Sequence, residues 1–226
     1  MAMIPIGVVI RTRNSAQYLS ESLQSVLDQS LPPTQVVVVD GASSDATLDI
    51  LALFKDRVRV IAQQHQGLAG AAQDGVDALD TPLIAFQDSD DIWPAGRLAT
   101  MAEFLIARPE LDGVMGRVEH FISPDLNDEQ AALFDVPSGP QPGAGLPSLL
   151  VRRRAFEKAG PFLDGLTAGE YMEWHDRAVS AGVQIQAVDN LALYRRVHLN
   201  NFSRSPSSKQ AYIKALRAVL QRKQNR

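Results

Sequence analysis

Short apolar runs rich in β-branched residues return along the first half of this chain, each separated from the next by a stretch of helical periodicity. That alternation constrains the fold more than any other feature. Ile6 to Ile10, Val36 to Val39, Val58 to Ile61 and Leu83 to Phe86 are such runs, with Gly113 to Val118 a fifth. Between them, Tyr18, Leu19, Leu23, Val26 and Leu27 fall on one helical face, with Ser15 as the N-cap and Pro32-Pro33 as the stop. Leu48, Leu51 and Phe54 form the next such face, Leu68, Ala72, Val76 and Leu79 another, and Arg97 to Ala107 is a helix closed by Pro109. An unbroken apolar strand has no polar face to give to water, so it is covered on both sides, and the intervening helices supply the cover. The expected fold class is α/β: a mostly parallel central sheet with helices on both faces, binding ligands at the carboxyl ends of its strands.

The loops that leave these runs are polar. The first carries Thr12 and Asn14, the second Asp40 and Ser43, and the fourth Asp88, Asp90 and Asp91, so three sets of polar groups should converge on one edge of the sheet. The fourth is the sharpest, because Leu83-Ile84-Ala85-Phe86 leads into Asp88-Ser89-Asp90-Asp91, three carboxylates in four residues. Their repulsion calls for a cation or for exposure to water, and a divalent metal is the natural compensation. A solvated acidic turn before a helix accounts for the same string, and Ser15, Ser43 and Asp45 suit plain helix caps. Asp40 differs: a carboxylate directly after four valines is poorly placed without a partner, which favours a ligand role.

A length of 226 residues suits one large domain or two small ones, and 45% hydrophobic with 21% charged residues is ordinary for a protein with a sizeable core. Its 22 Lys and Arg against 26 Asp and Glu leave a net charge of −4, which offers no general attraction to nucleic acid or anionic lipid. Without cysteine there is neither a disulfide framework nor a thiolate metal site. Met1-Ala2-Met3-Ile4-Pro5 is no basic, apolar leader and no run approaches the length of a membrane span, so a cytoplasmic protein is expected.

After Val118 the alternation breaks. Residues 123–148 hold five prolines and three glycines around one short helical piece near Glu129 to Phe134, and read as a mobile loop over the active edge. Arg152-Arg153-Arg154 suits either a phosphate contact or a solvated helix start. One helix ends at Gly160-Pro161, another follows Gly169-Glu170-Tyr171-Met172-Glu173-Trp174 and runs to Ala181-Gly182, and strand-like segments cover Gln184 to Val188 and Leu191 to Tyr194. In the tail, 209–226, Tyr212, Ile213, Leu216, Val219 and Leu220 share one face of an amphipathic helix among many cations. Packing on the domain or against another subunit, as in a homodimer, is the first explanation of that face; a helix on a membrane surface, which would make the protein peripheral to a membrane, is the second.

Taken in order, several of these strings resemble the family 2 glycosyltransferases of the nucleotide-sugar-binding type called GT-A. Val8-Val9-Ile10-Arg11-Thr12-Arg13-Asn14 is similar to that family's first strand and its Pro-Thr-x-Asn, and Ser25-Val26-Leu27-Asp28-Gln29-Ser30 to the end of its first helix. Asp40-Gly41-Ala42-Ser43-Ser44-Asp45-Ala46-Thr47 resembles its Asp-Asp-Gly-Ser-x-Asp-Gly-Thr, and Asp88-Ser89-Asp90-Asp91-Ile92-Trp93, followed by Arg97-Leu98, resembles its Asp-Ala-Asp-Asp-Leu-Trp. The resemblance covers most of the chain. It implies a single GT-A domain over 1–226, with a nucleotide-sugar-binding half at 1–118 and an acceptor-side half at 149–208. It further implies an inverting transferase that moves a sugar from a nucleotide-diphosphate sugar, a UDP-sugar in the first instance, to an acceptor hydroxyl with the help of Mn²⁺ or Mg²⁺. Saccharide, lipid-linked and peptide acceptors all stay open.

The same resemblance implies residue roles. Thr12, Asn14, Asp40, Ser43, Asp88 and Arg97 would contact the nucleotide; Asp90 and His198 would ligate the metal with Asp91 in support; and Glu170, or after it Glu173, would be the catalytic base, in a segment similar to the family's Gly-Glu-Asp-x-Asp-Trp. Single displacement needs positive charge against a departing diphosphate and a carboxylate to take the nucleophile's proton, which is what these residue types offer. Four departures stand out: Arg11 in place of Pro, Gly41 in place of Asp, Ala72-Gln73 in place of Arg-Asn, and Tyr171 in place of Asp. Arg97 or the arginines at 152–154 would then stand in for the missing arginine. The departures keep open a catalytically degenerate nucleotide-sugar-binding protein. A nucleotidyltransferase would carry a glycine-rich phosphate loop after the first strand, and Ile10 to Ser15 has no glycine.

Overall fold

In the computed structural model, which describes residues 4–224, seven strands form one mixed sheet. In chain order the elements are β1 (Ile6–Thr12), α1 (Leu19–Leu27), β2 (Gln35–Asp40), α2 (Thr47–Leu53), β3 (Arg59–Ala62), α3 (Gly67–Asp77), β4 (Leu83–Asp88), α4 (Arg97–Ala107), β5 (Gly113–Ile122), α5 (Asp128–Ala131), β6 (Leu149–Arg152), α6 (Arg154–Ala159), α7 (Glu170–Ser180), β7 (Ile185–Val197) and α8 (Pro206–Gln224). The strand order is β3-β2-β1-β4-β6-β5-β7, with β6 antiparallel to both neighbours and every other pairing parallel. The expected mostly parallel α/β sheet is therefore present, and β1, β2 and β4 end on the same edge.

The burial pattern shows why the apolar runs are unbroken. Along β1, Ile6, Val8 and Ile10 pack into the core shared with α1 and α4, while Val9 between them points into the core shared with α3, α6 and α7. Helix α3 lies very close to that second face: a Cβ on Gly75 would sit 2.2 Å from Val9 Cγ1. Phe86, Phe156, Phe162 and Trp174 stack there at centroid separations of 4.9–6.4 Å, and Trp174 Nε1 donates to the Gly160 carbonyl. That aromatic cluster fixes α7 and with it the residue that opens the helix, Glu170.

Several local expectations change. Ser15 does not cap α1: its hydroxyl meets Ser89, and Tyr18 precedes the helix without a capping side chain. Asp45 does cap, accepting the backbone N–H of Thr47. The two strand-like segments near 184–194 are one bulged strand, β7, and the apolar piece after the proline-rich segment is the central antiparallel strand β6. Residues 123–148 are pinned at Gln141, which exchanges two backbone hydrogen bonds with Val118. Helix α8 packs on the domain through Ala211, Ala215 and Val219, not through the larger apolar residues, because Ala215 closes on Gly169 and Arg222 pairs with Glu173 and Asp176 of α7. Tyr212, Ile213, Leu216 and Leu220 stay exposed, and Asn225 and Arg226 of the expected helix lie outside the described residues.

Candidate active site

The carboxyl ends of β1, β2 and β4, the β3–α3 connection, the start of α7 and the residues after β7 enclose one cleft of ≈ 1640 Å³. Thr12, Asn14, Asp88, Asp90, Asp91, Glu170 and His198 all line it. Strand β7 explains how His198 arrives there. Its end bends across to the loop after β4, where Tyr194 and Ile92 exchange two backbone hydrogen bonds, and the Arg196 N–H donates to Asp91 Oδ1 at 2.9 Å.

The repulsion expected among the acidic residues is met in three separate ways. Asp88 faces Arg11 in register across β1 and β4, and Arg11 Nε and Nη2 both donate to its Oδ1, at 3.1 and 2.5 Å. Arg11 Nη1 also donates to Glu170 Oε1 at 2.6 Å, so one buried guanidinium joins the first aspartate of the string to the start of α7. Burial disfavours that charge, but Asp88 and Glu170 outweigh it and hold Arg11 above its ordinary pKa. Asp91 is turned into the protein, against the β7 backbone; burial, and then the charges of Asp90 and Asp88, push its carboxyl well above the usual range. Asp90 is left facing the cleft, with its Oδ2 3.0 Å from His198 Nε2 and 3.3 Å from Asn201 Nδ2.

This arrangement fits a divalent cation through two protein ligands. A spacing of 3.0 Å between Asp90 Oδ2 and His198 Nε2 is the separation of two groups at right angles, each about 2.1 Å from one small ion. Among the described residues, no three His, Cys, Asp or Glu side chains converge to hold a metal by themselves. Asp91, expected in support, is committed to β7 instead.

Four expected site residues do not line the cleft: Arg97, Glu173, Asp40 and Ser43. Arg97 is fully buried away from the cleft, stacked 3.8 Å over Trp93, with one hydrogen bond to the Leu149 carbonyl; the apolar face of α4 carries it into the core. Glu173, about one helical turn after Glu170, is fully buried between Arg177 and Arg222, so Glu170 is the only one of the two that faces the cleft. The arginines at 152–154 are no phosphate cradle. They donate to backbone carbonyls and to Asp112, tying β6 and α6 to the ends of α3, α4 and β5. Asp40 is buried with both oxygens engaged by Ser43, so Gly41 and Ala42 face the cleft in their place. Asn14 and Ser43 tie the first two strand loops together, whereas the Thr12 hydroxyl is buried at the cleft wall without a partner. Ala72 is fully buried on the core-facing side of α3, where a long cation would not fit without repacking. Arg196 carries no signal of its own in the sequence; Asn201 was legible only as the last residue of an Arg-x-x-His-x-x-Asn setting around His198, and Arg11 only as a departure from Pro.

A model of the family described as glycosyl transferase family 2 matches residues 7–161. A glycosyltransferase of Nostoc sp. is 30% identical over 151 residues, which is 65% of this chain and 45% of that protein. A PGL/p-HBAD biosynthesis glycosyltransferase of Mycobacterium bovis is 32% identical over 123 residues, 52% of this chain and 48% of the relative. The chain thus spans less than half the length of these two curated relatives. Among solved structures, Staphylococcus aureus TarS 1-349 in complex with UDP-GlcNAc superposes with a TM-score of 0.74 at 19% identity, covering 96% of this chain and 65% of that one. The mannosyltransferase PcManGT from Pyrobaculum calidifontis, in complex with GDP-Man and Mn²⁺, gives 0.67 at 19% identity, covering 95% and 65%. At that identity the likeness establishes the GT-A fold.

Proposed function

The chain belongs to glycosyl transferase family 2, and from that premise we propose that it transfers a sugar from a nucleotide-diphosphate sugar, a UDP-sugar first among the candidates, to an acceptor hydroxyl with inversion. The observation that carries this reading is the convergence of Asp90 with His198 and of Asp88 with Arg11 and Glu170 on one wall of a cleft at the strand ends. Support for a UDP donor and for a metal comes from neighbours of the same fold solved with UDP-GlcNAc and with Mn²⁺.

Asp90 and His198 would hold Mn²⁺ or Mg²⁺, which supplies positive charge against the diphosphate. Asp88, oriented by Arg11, faces the ribose side of the donor, and Thr12 offers its unpartnered hydroxyl to the nucleoside. Glu170 takes the proton of the acceptor hydroxyl as its oxygen bonds to the anomeric carbon and the bond to the β-phosphate oxygen breaks, releasing the nucleoside diphosphate. Isothermal calorimetry with UDP and Mn²⁺ tests the donor site. Binding that needs the metal and is lost in Asp90→Ala is the expected result, and no UDP binding in any metal would sink the reading. The Arg11–Glu170 ion pair and the partly buried Tyr171, which stands where the family carries Asp, give specific support to a second reading, a nucleotide-sugar-binding protein without transfer. Slow UDP-sugar hydrolysis that disappears in Glu170→Gln separates the two.

A further inference from the structure

The connection between β3 and α3 contains an imidazole held by a carboxylate. His65 Nδ1 lies 2.5 Å from Asp74 Oδ1, with the histidine side chain 54% exposed and the aspartate 5%. The other Asp74 oxygen accepts the backbone N–H groups of Gln64 and His65, at 2.6 and 3.1 Å. Gln63 closes the loop by donating to the carbonyls of His65 and Gly67, and a Cβ on Gly70 would lie 2.4 Å from the His65 carbonyl, so α3 presses on the same segment. A half-exposed ring is thereby fixed in tautomer and direction: with Nδ1 engaged by Asp74, Nε2 is left for a ligand in the cleft that His65 lines.

The register decides which part of a ligand would meet it. Ala62 at the end of β3 pairs with Asp40 on β2, Asp40 with Thr12 on β1, and Arg11 with Asp88 on β4. His65 therefore lies about three strand spacings, roughly 14 Å, from Asp88 and Asp90. That span suits a nucleoside diphosphate whose phosphates lie at Asp90 and whose base lies at the β2–β3 end. The wall at that end is formed by Thr12 with its unpartnered hydroxyl, Gly41, Ala42, Gln63 and His65, with Asp40 and Ala72 turned away. Resting on the nucleotide-sugar reading above, we infer that His65 is a specificity-determining residue for the donor base, its unprotonated Nε2 accepting from a ring N–H, with Asp74 as the positioning residue that takes the Nδ1–H behind it. Uracil presents such a ring N–H on its pairing edge and adenine none.

Calorimetric titration of the wild type, His65→Ala, His65→Gln and Asp74→Asn with UDP, ADP and pyrophosphate, each with Mn²⁺, tests this. His65→Ala should lose about ten- to hundredfold in UDP affinity while ADP and pyrophosphate change by less than about twofold. His65→Gln places an amide oxygen, an acceptor, near the position of Nε2 and should keep the preference for UDP over ADP; Asp74→Asn should lower it partway. Unchanged UDP affinity in His65→Ala, or an equal loss for all three ligands, would overturn the assignment while leaving the donor site standing. A wild type that binds no nucleoside diphosphate removes the reading on which it rests and the assignment with it.

Discussion

Replacing Arg11 by Met removes the charge that joins Asp88 to Glu170 and keeps the side chain's length. The two ion pairs, at 2.5 and 2.6 Å between nearest atoms, bring charge centres to about 4 Å and so correspond to about 4 kcal/mol each at an effective dielectric constant of about 20, much of it offset by desolvation. What matters for the variant is what stays behind. Glu170, 9% exposed, would be an uncompensated carboxylate in a nearly dry site, at a cost of about 3 kcal/mol. Asp88, 37% exposed, can recover water, so its share is nearer about 1 kcal/mol. Arg11→Met should therefore unfold in urea with about 3–4 kcal/mol less stability at neutral pH. Adding Glu170→Gln should restore part of it, with a coupling of about 2 kcal/mol in the double-mutant cycle. The sign of the pH dependence follows from linkage. Burial raises the Asp88 carboxyl and Arg11 opposes that shift, so without Arg11 the deficit should shrink as pH falls and the carboxyl takes up its proton. A loss under about 1 kcal/mol with a coupling under about 0.5 kcal/mol would refute the bridge as a structural element.

Asp112 is fully buried and accepts from Arg154, Lys158 and the Gln184 N–H, so Asp112→Ala should cost about 2–4 kcal/mol in chemical denaturation, discounted for the partly exposed cations. Arg97→Met should leave UDP affinity unchanged and keep the melting temperature at or above wild type, because a buried guanidinium with one hydrogen bond is replaced by an apolar chain of similar reach; a specific loss of nucleotide binding would return Arg97 to the site. Hydrogen bonding to Asp74 raises the His65 pKa above 6.5, and that bond together with the Gln64 and His65 N–H groups outweighs burial to hold Asp74 below 3.8. The pair's contribution is then complete between those two values, is lost as pH rises through the raised histidine pKa, and is lost at the other end as pH falls through the lowered aspartate pKa. Thermal melts of wild type and His65→Ala across pH 3 to 9 should converge at both extremes.

The alternation of β-branched runs with 3.6-periodic stretches was enough to read β1 to β4, α1 to α4 and the edge on which ligands gather: β1, β2 and β4 are covered on both faces and so are mostly apolar, whereas β3 at the sheet edge stays largely exposed and was legible only by its β-branched residues. Strand β6 escaped that reading: four residues flanked by prolines and arginines look the same whether they pair or not, and only the gap between β4 and β5 gives them partners. The tail helix was read, with its packing on the domain, but only part of the face it buries: Val219 is buried as expected, while the close approach of α7 at Gly169 puts Ala215 there and leaves Tyr212, Ile213, Leu216 and Leu220 exposed.

At the site the division is sharper. The sequence alone determined the acidic string, its place at a strand end and the residue types that handle a diphosphate and a proton, since these are local properties of chain and side chain. The tertiary structure alone decided which of them share a space. It turned Glu173 and Arg97 into the interior and Asp91 toward β7, set His198 against Asp90 across 108 positions of sequence, and put Arg11 between Asp88 and Glu170. The reason is geometric: helical phase and strand register fix the direction of a side chain, but the group it meets there comes from another part of the chain, and no local pattern encodes that distance.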